Sequence, residues 1–208
     1  MGKEDSIIMV VEKDDLFNDD VFDGFKSHEK VNYIDRILKN YGFMTRKFAE
    51  NDPTYKQPIA YCIIVNPILK KVFAYQRSKK EEHYSEKRLQ GKWSWGIGGH
   101  IEKSDVINEN PIVDSMLREI NEEVEISDII TKLLGYIYHD FGVNAVHFGL
   151  LYLVETNSID VRPKDPEIAE GGFKTIQELE FILNSPDCKV EDWSKTALTP
   201  LKDYFRNL

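Results

Sequence analysis

The run "GIGGHIEKSDVINENPIVDSMLREINEEVEI", residues 96–126, narrows the folds open to this chain more than any other stretch. It leaves a strand-like segment through two adjacent glycines and then enters a helix. Asn110 is a favoured N-cap, and Pro111 suits the first helical position, where its missing N–H costs nothing. At the helical repeat Val113, Leu117, Ile120 and Val124 fall in a stripe about 60° wide, which predicts the buried side. Glu119, Glu122 and Glu123 share the other side. Carboxylates three and four residues apart repel by roughly 0.2–0.5 kcal/mol per pair on an isolated helix. Such a face is either solvated, the common case, or it holds a cation. Glycine just before it permits a tight turn with carbonyls free to face a ligand, and hard oxygens of this kind suit Mg²⁺ or Mn²⁺.

Around this run the pattern alternates. "SIIMVV" reads as a strand, and "EKVNYIDRILKNY" as a helix stopped by Gly42. Residues 43–58 read as an irregular link. "IAYCIIVN" and "KVFAYQRS" flank "PILK" as a hairpin, followed by a charged loop, "EEHYSEKRLQGK". After the acidic helix come two strands, "KLLGYIYHD" and "AVHFGLLYLVE", joined by the turn "FGVN". "KTIQELEFILN" reads as a helix, and "EDWSKTALTPLKDYF" as one interrupted by Pro200. This order predicts an α+β fold, a mixed sheet between helices. Residues 1–55 form an N-terminal elaboration and residues 56–208 the main domain.

Charge decides the class of partner. The net charge of −9 argues against nucleic-acid polymers and anionic membranes, both of which need basic surfaces. A small phosphorylated substrate stays open, because metal ions can meet its charge locally. No run reaches the roughly 18 apolar residues that span a bilayer, and the first residues lack a secretory core. The expected location is cytoplasmic. Cys62 and Cys188 have no metal-ligand spacing, and Cys62 reads as a core residue.

The acidic helix and its glycines resemble the signature of Nudix hydrolases, G-x5-E-x7-R-E-U-x-E-E-x-G-U, where U is a bulky aliphatic residue. Gly99 matches its first glycine, Arg118-Glu119 the R-E pair, Ile120 the first aliphatic, Glu122-Glu123 the E-E pair and Ile126 the last aliphatic. "VFAYQRS" and "EGGFKTIQEL" resemble the flanking family elements, so the likeness spans roughly residues 58–183. Within the family, "GKWSWGIGGHI" is similar to a bacterial branch of predicted phosphoesterases. Three departures stand out. Gly99 to Arg118 spans 19 positions rather than 14, Asn110 replaces the expected glutamate, and Glu125 replaces the final glycine. Without that glutamate, Arg118 is expected to pair with Glu122 or Glu125.

The resemblance implies a Nudix-like α/β/α sandwich and Mg²⁺-dependent hydrolysis of a diphosphate linkage in a nucleoside diphosphate joined to another moiety. Mn²⁺ would substitute. It implies Glu119, Glu122 and Glu123 as metal ligands with a carbonyl of Gly98 or Gly99, and Glu119, Glu122 and Arg118 as the catalytic set, with Arg118 orienting the glutamates. Glu119 and Glu170 both stand as the general base. Arg77 and Glu170 are the substrate-binding candidates, Arg77 as a phosphate fork or an ordinary ion pair. Glu155 is a further candidate ligand. Trp93 and Trp95 read as core, with stacking on a base the alternative. His100 reads as a loop-shaping hydrogen bonder and His147 as a satisfied sheet histidine, since imidazole suits magnesium poorly. Small hydrolases of this kind often pair, so a homodimer interface is one use for the N-terminal residues. Two other functions compete: a non-catalytic nucleotide sensor of the same fold, and an isopentenyl-diphosphate isomerase-like enzyme. The latter lacks its cysteine, since glycines precede His100.

Overall fold

The computed structural model describes residues 2–79 and 88–208. In chain order they form β1 (Ile7–Glu12), α1 (Lys13–Phe17), β2 (Gly24–Ser27), α2 (Tyr33–Asn40), β3 (Gly42–Thr45) and α3 (Arg46–Ala49). There follow β4 (Tyr55–Asn66), β5 (Lys71–Arg77), β6 (Trp93–Ser94), α4 (Pro111–Glu123), β7 (Val124–Glu125) and β8 (Ile130–Tyr138). The last elements are β9 (His147–Glu155), β10 (Arg162–Pro163), β11 (Ile168–Thr175), α5 (Ile176–Asn184) and α6 (Asp192–Arg206). The chain divides into two compact units. The first holds residues 1–61, 98–118 and 133–151, and the second residues 62–97, 119–132 and 152–208. β4, β9 and α4 contribute residues to both. The expected charged loop lies largely outside the described residues.

In the first unit the strands run in the order β4-β9-β8-β2, and β1 pairs antiparallel with β3 and with the start of β4. β4 and β9 ascend together, residue 56 beside 145 and residue 65 beside 156, so the sheet is mixed. An aromatic cluster fills this unit. Phe17 lies 4.9 Å from Tyr138, Tyr33 4.9 Å from Tyr136 and Tyr33 5.2 Å from Phe148, between ring centroids. The buried hydroxyl of Tyr136 accepts the Tyr33 N–H at 3.1 Å, so the aromatic packing leaves no polar tip stranded there. The helix expected from residue 29 starts at Tyr33, because Asn32 caps it by accepting the Asp35 N–H. The expected irregular link contains β3 and α3. Its strand is only four residues, too short for period-2 alternation to show.

In the second unit the order is β11-β5-β4-β9, with β5 and β11 antiparallel from Arg77↔Ile168 to Lys71↔Thr175. α5 begins with a capping box in which Glu178 Oε2 accepts the Thr175 N–H at 2.7 Å and Thr175 Oγ1 accepts the Glu178 N–H. α6 continues through Pro200 rather than breaking there. A proline inside a helix costs about 3 kcal/mol. Here Trp193, Ala197, Leu201, Tyr204 and Phe205 bury one whole side and outweigh it.

The packing side of α4 is also rotated from the expected one. Ile112, Met116, Ile120 and Val124 are buried, whereas Leu117 is 40% exposed and Val113 only half-buried. The i+4 row from Ile112 carries the core contact, and the simple stripe missed it by one residue.

Lys56 sits wholly inside the first unit, its ammonium donating to the carbonyls of Pro53 at 2.6 Å and Ala145 at 2.7 Å. Burial, and then the charge of Lys13, lower its pKa from 10.5 to about 8. Between those values the folded protein binds fewer protons than the unfolded chain, so this lysine opposes folding fully below pH 8 and ceases to as pH rises towards 10.5. In urea unfolding, the stability of the wild type minus that of Lys56→Met is expected to climb across this window. A pH-independent difference contradicts the buried charge.

Candidate active site

The glycine bend is built by backbone contact. Gly98 holds φ +148°, and a Cβ there would lie 2.1 Å from the Ala60 carbonyl oxygen, so only glycine fits. The segment after it bridges Ile59 through His100, and the Ile101 carbonyl accepts the Met9 N–H at 2.7 Å. The expected strand through "WSWGIGGHIE" is therefore a two-residue β6 followed by isolated bridges.

Arg118 takes a partner from outside the family signature. Its guanidinium forks onto Asp105, with Nε 2.7 Å from Oδ1 and Nη2 2.9 Å from Oδ2, while Nη2 also donates to the His100 carbonyl at 3.1 Å. Asp105 is 2% exposed. It lies in a short 3-10 turn, Lys103–Asp105, inside the lengthened loop, and its Oδ2 also accepts the Glu102 N–H at 2.7 Å. The longer loop thus brings its own acid to the arginine. Asn110 is released to cap α4, its Oδ1 accepting the N–H groups of Ile112 and Val113. Sequence reasoning missed Asp105 because it lies 13 residues before Arg118, outside the signature spacing. The signal available was the acid-rich text of the insertion itself.

In the second unit the three carboxylates divide. Glu119 and Glu123 are half-buried, and Glu122 is exposed. Cys62 is fully buried in β4, as expected, and its thiol is pushed up first by burial and then by the negative charges of Glu123 and Glu119. Both carboxylates therefore act on one buried point, as residues i and i+4 on one helix should. A half-buried pair of like charges with a third carboxylate one residue away fits a hard divalent cation, whose charge offsets their repulsion.

The other candidates are engaged elsewhere in the fold or lie open. Arg77 Nε pairs with Glu191 Oε1 at 2.5 Å, and Ser94 donates to Glu191 Oε2 at 3.0 Å. This mostly buried network ties β5, β6 and the start of α6 together, and Glu191 was not foreseen. Glu155 accepts the Tyr204 hydroxyl at 2.8 Å. Glu170 is exposed on β11 beside a register shift. Trp95 is core, 1% exposed, whereas Trp93 is half-buried with the Lys174 ammonium 5.5 Å over its ring. Gly99, His100 and Arg118 belong to the first unit, and Glu119, Glu122 and Glu123 to the second.

Two substitutions test this construction. Gly98→Ala is expected to cost about 3 kcal/mol in chemical denaturation, since its backbone neighbour cannot yield. Asp105→Ala is expected to cost about 3–5 kcal/mol. A double-mutant cycle with Arg118→Ala should return a coupling of about 2 kcal/mol, and additive effects would show that the fork does not hold the loop.

Comparison with known proteins matches this geometry. The NUDIX domain model matches residues 56–193. The chain is 32% identical over 222 residues to Protein YmaB of Bacillus subtilis (strain 168), covering 97% of this chain and all of that protein. The crystal structure of Tm1382, assigned to the Nudix hydrolases, superposes with a TM-score of 0.76 at 28% identity, covering 95% of this chain and 99% of that one. DR0079 from Deinococcus radiodurans shares the fold at 12% identity, with a TM-score of 0.55 over 85% of this chain and 96% of that one. So does the NUDIX domain of Shewanella oneidensis NrtR, solved with ADP ribose, at 10% identity and 0.54 over 72% and 88%. With a mixed sheet, helices and the R-E-U-x-E-E helix in place, the chain belongs to the Nudix family and is a hydrolase acting on pyrophosphate bonds.

Proposed function

We propose that the protein hydrolyses the diphosphate linkage of a nucleoside diphosphate joined to another moiety, in the cytoplasm and with Mg²⁺. The observation that carries this reading is the half-buried pair Glu119 and Glu123, four residues apart on α4 with exposed Glu122 beside them. Glu119 and Glu123 would hold the ion, with exposed Glu122 as a third oxygen donor. A bound divalent ion supplies charge neutralisation at the diphosphate oxygens and a more acidic water. Water oxygen bonds to phosphorus as the anhydride P–O bond breaks, and its proton passes to a carboxylate. Glu119 and Glu170 are the two candidates for that role, both in the second unit. Arg118, forked onto Asp105, positions the helix and transfers no proton. Arg77 is engaged by Glu191 and contributes first to the packing of β5. Residues 1–55 serve as an elaboration of the main domain, suited to pairing two copies.

Asp105 supports the hydrolase over the sensor. The glutamate missing at Asn110 has a replacement on the arginine, so its absence is not a sign of decay. ADP ribose, held by the Shewanella domain, is one member of the substrate class. No helix among the described residues is long and apolar enough to cross a membrane.

The test is product release from nucleotide sugars including ADP ribose, dinucleoside polyphosphates and nucleoside triphosphates, with and without Mg²⁺. Glu123→Gln and Glu119→Gln are expected to lower kcat by about 10²–10⁴-fold on whichever substrate turns over, and Glu170→Gln by the same range only if Glu170 is the base. Unchanged Mg²⁺-dependent turnover in Glu123→Gln would sink the assignment.

A further inference from the structure

A second cluster lies wholly within the first unit. Glu50 follows α3, His100 follows the glycine bend and His147 opens β9. One ligand atom from each lies within 4.8 Å of the other two. Glu50 Oε1 is 3.8 Å from His100 Nε2 and 3.8 Å from His147 Nε2, and the two rings lie 5.4 Å apart at 65°. Gln57, from β4, is fully buried beside them with Oε1 2.6 Å from His100 Nε2 and no partner for its own Nε2.

We infer that Glu50, His100 and His147 form a binding site for a first-row transition-metal ion, Zn²⁺ by preference, distinct from the magnesium site proposed on α4. Two imidazoles and one carboxylate are a recurrent zinc donor set, and imidazole selects zinc over magnesium. His147 is already arranged for it. Its Nδ1 lies 2.6 Å from the Val143 carbonyl, so Nδ1 carries the proton and Nε2 keeps its lone pair, the second-shell arrangement of metal-bound histidine. His100 Nε2 donates to Gln57 Oε1 at 2.6 Å while the site is empty, so binding an ion there requires its proton to move to Nδ1 and free the Nε2 lone pair. At metal–ligand bonds of about 2.0–2.1 Å, a tetrahedral ion sets its donors about 3.3 Å apart. The observed 3.8 Å thus needs only a small inward rotation of the side chains. The buried amide of Gln57 supplies a fourth polar group. Arg46 competes for the site, its Nε 3.2 Å from the same Glu50 oxygen, and the ion must displace it. Occupied, the site would staple the segment after Gly98 to the start of β9.

Full-length protein stripped with chelator is titrated with Zn²⁺ by calorimetry, and with Co²⁺ by its visible absorption. The wild type is expected to take one equivalent with a tetrahedral Co²⁺ spectrum. His147→Ala and the shape-conserving Glu50→Gln should each bind about 100-fold more weakly or not at all, whereas Arg46→Gln should bind about tenfold more tightly. Glu119→Gln with Glu123→Gln should leave the zinc isotherm unchanged, which separates this site from the proposed hydrolytic one. Circular dichroism confirms that the variants fold, and Glu50→Gln decides if His147→Ala does not. The inference is overturned if the wild type takes no stoichiometric zinc, if folded Glu50→Gln binds it equally well, or if only the α4 variants lose it.

Discussion

The fork between Arg118 and Asp105 is the interaction on which the glycine bend and the first part of α4 depend. Asp105 is buried, and burying a carboxylate is costly unless a cation meets it with good geometry. Arg118 does so through two parallel N–H donors and spends a further contact on the His100 carbonyl, the residue next to the bend. The helix that carries Arg118 spans Pro111–Glu123.

Each unit meets its buried polar groups locally. In the first, Lys56 hands its protons to two carbonyls and Tyr136 accepts a backbone N–H, while in the second Glu191 answers Arg77 and Ser94. These polar groups are bonded where they are buried, whereas the indole nitrogen of Trp95 in the second unit has no partner among the described residues. The cluster of Glu50, His100 and His147 departs from this pattern. Two imidazole rings face one carboxylate oxygen, and a fully buried amide beside them lacks a partner for its nitrogen.

Two kinds of carboxylate arrangement therefore coexist in the chain. On α4 the acids are neighbours in sequence, an all-oxygen grouping of the kind that suits a hard cation. Glu50, by contrast, meets histidines from segments about 50 and 97 residues further along the chain, and imidazole shifts the preference towards softer ions.

Legibility follows from range. The family, the acidic helix, its cap at Asn110 and the hairpin around "PILK" are local patterns, readable because capping, turn chemistry and the 3.6-residue repeat act within a few positions. The four-residue β3 and the true packing row of α4 were not readable, since a short apolar segment carries no clear period and a helix turns by 100° per residue regardless of where its neighbour lies. The partner of Arg118, the engagement of Arg77 by Glu191 and the meeting of His100 with His147 and Glu50 were decided by tertiary structure alone. Each joins residues at least 13 positions apart, and only the closing of strands and loops around a core brings such groups within bonding distance.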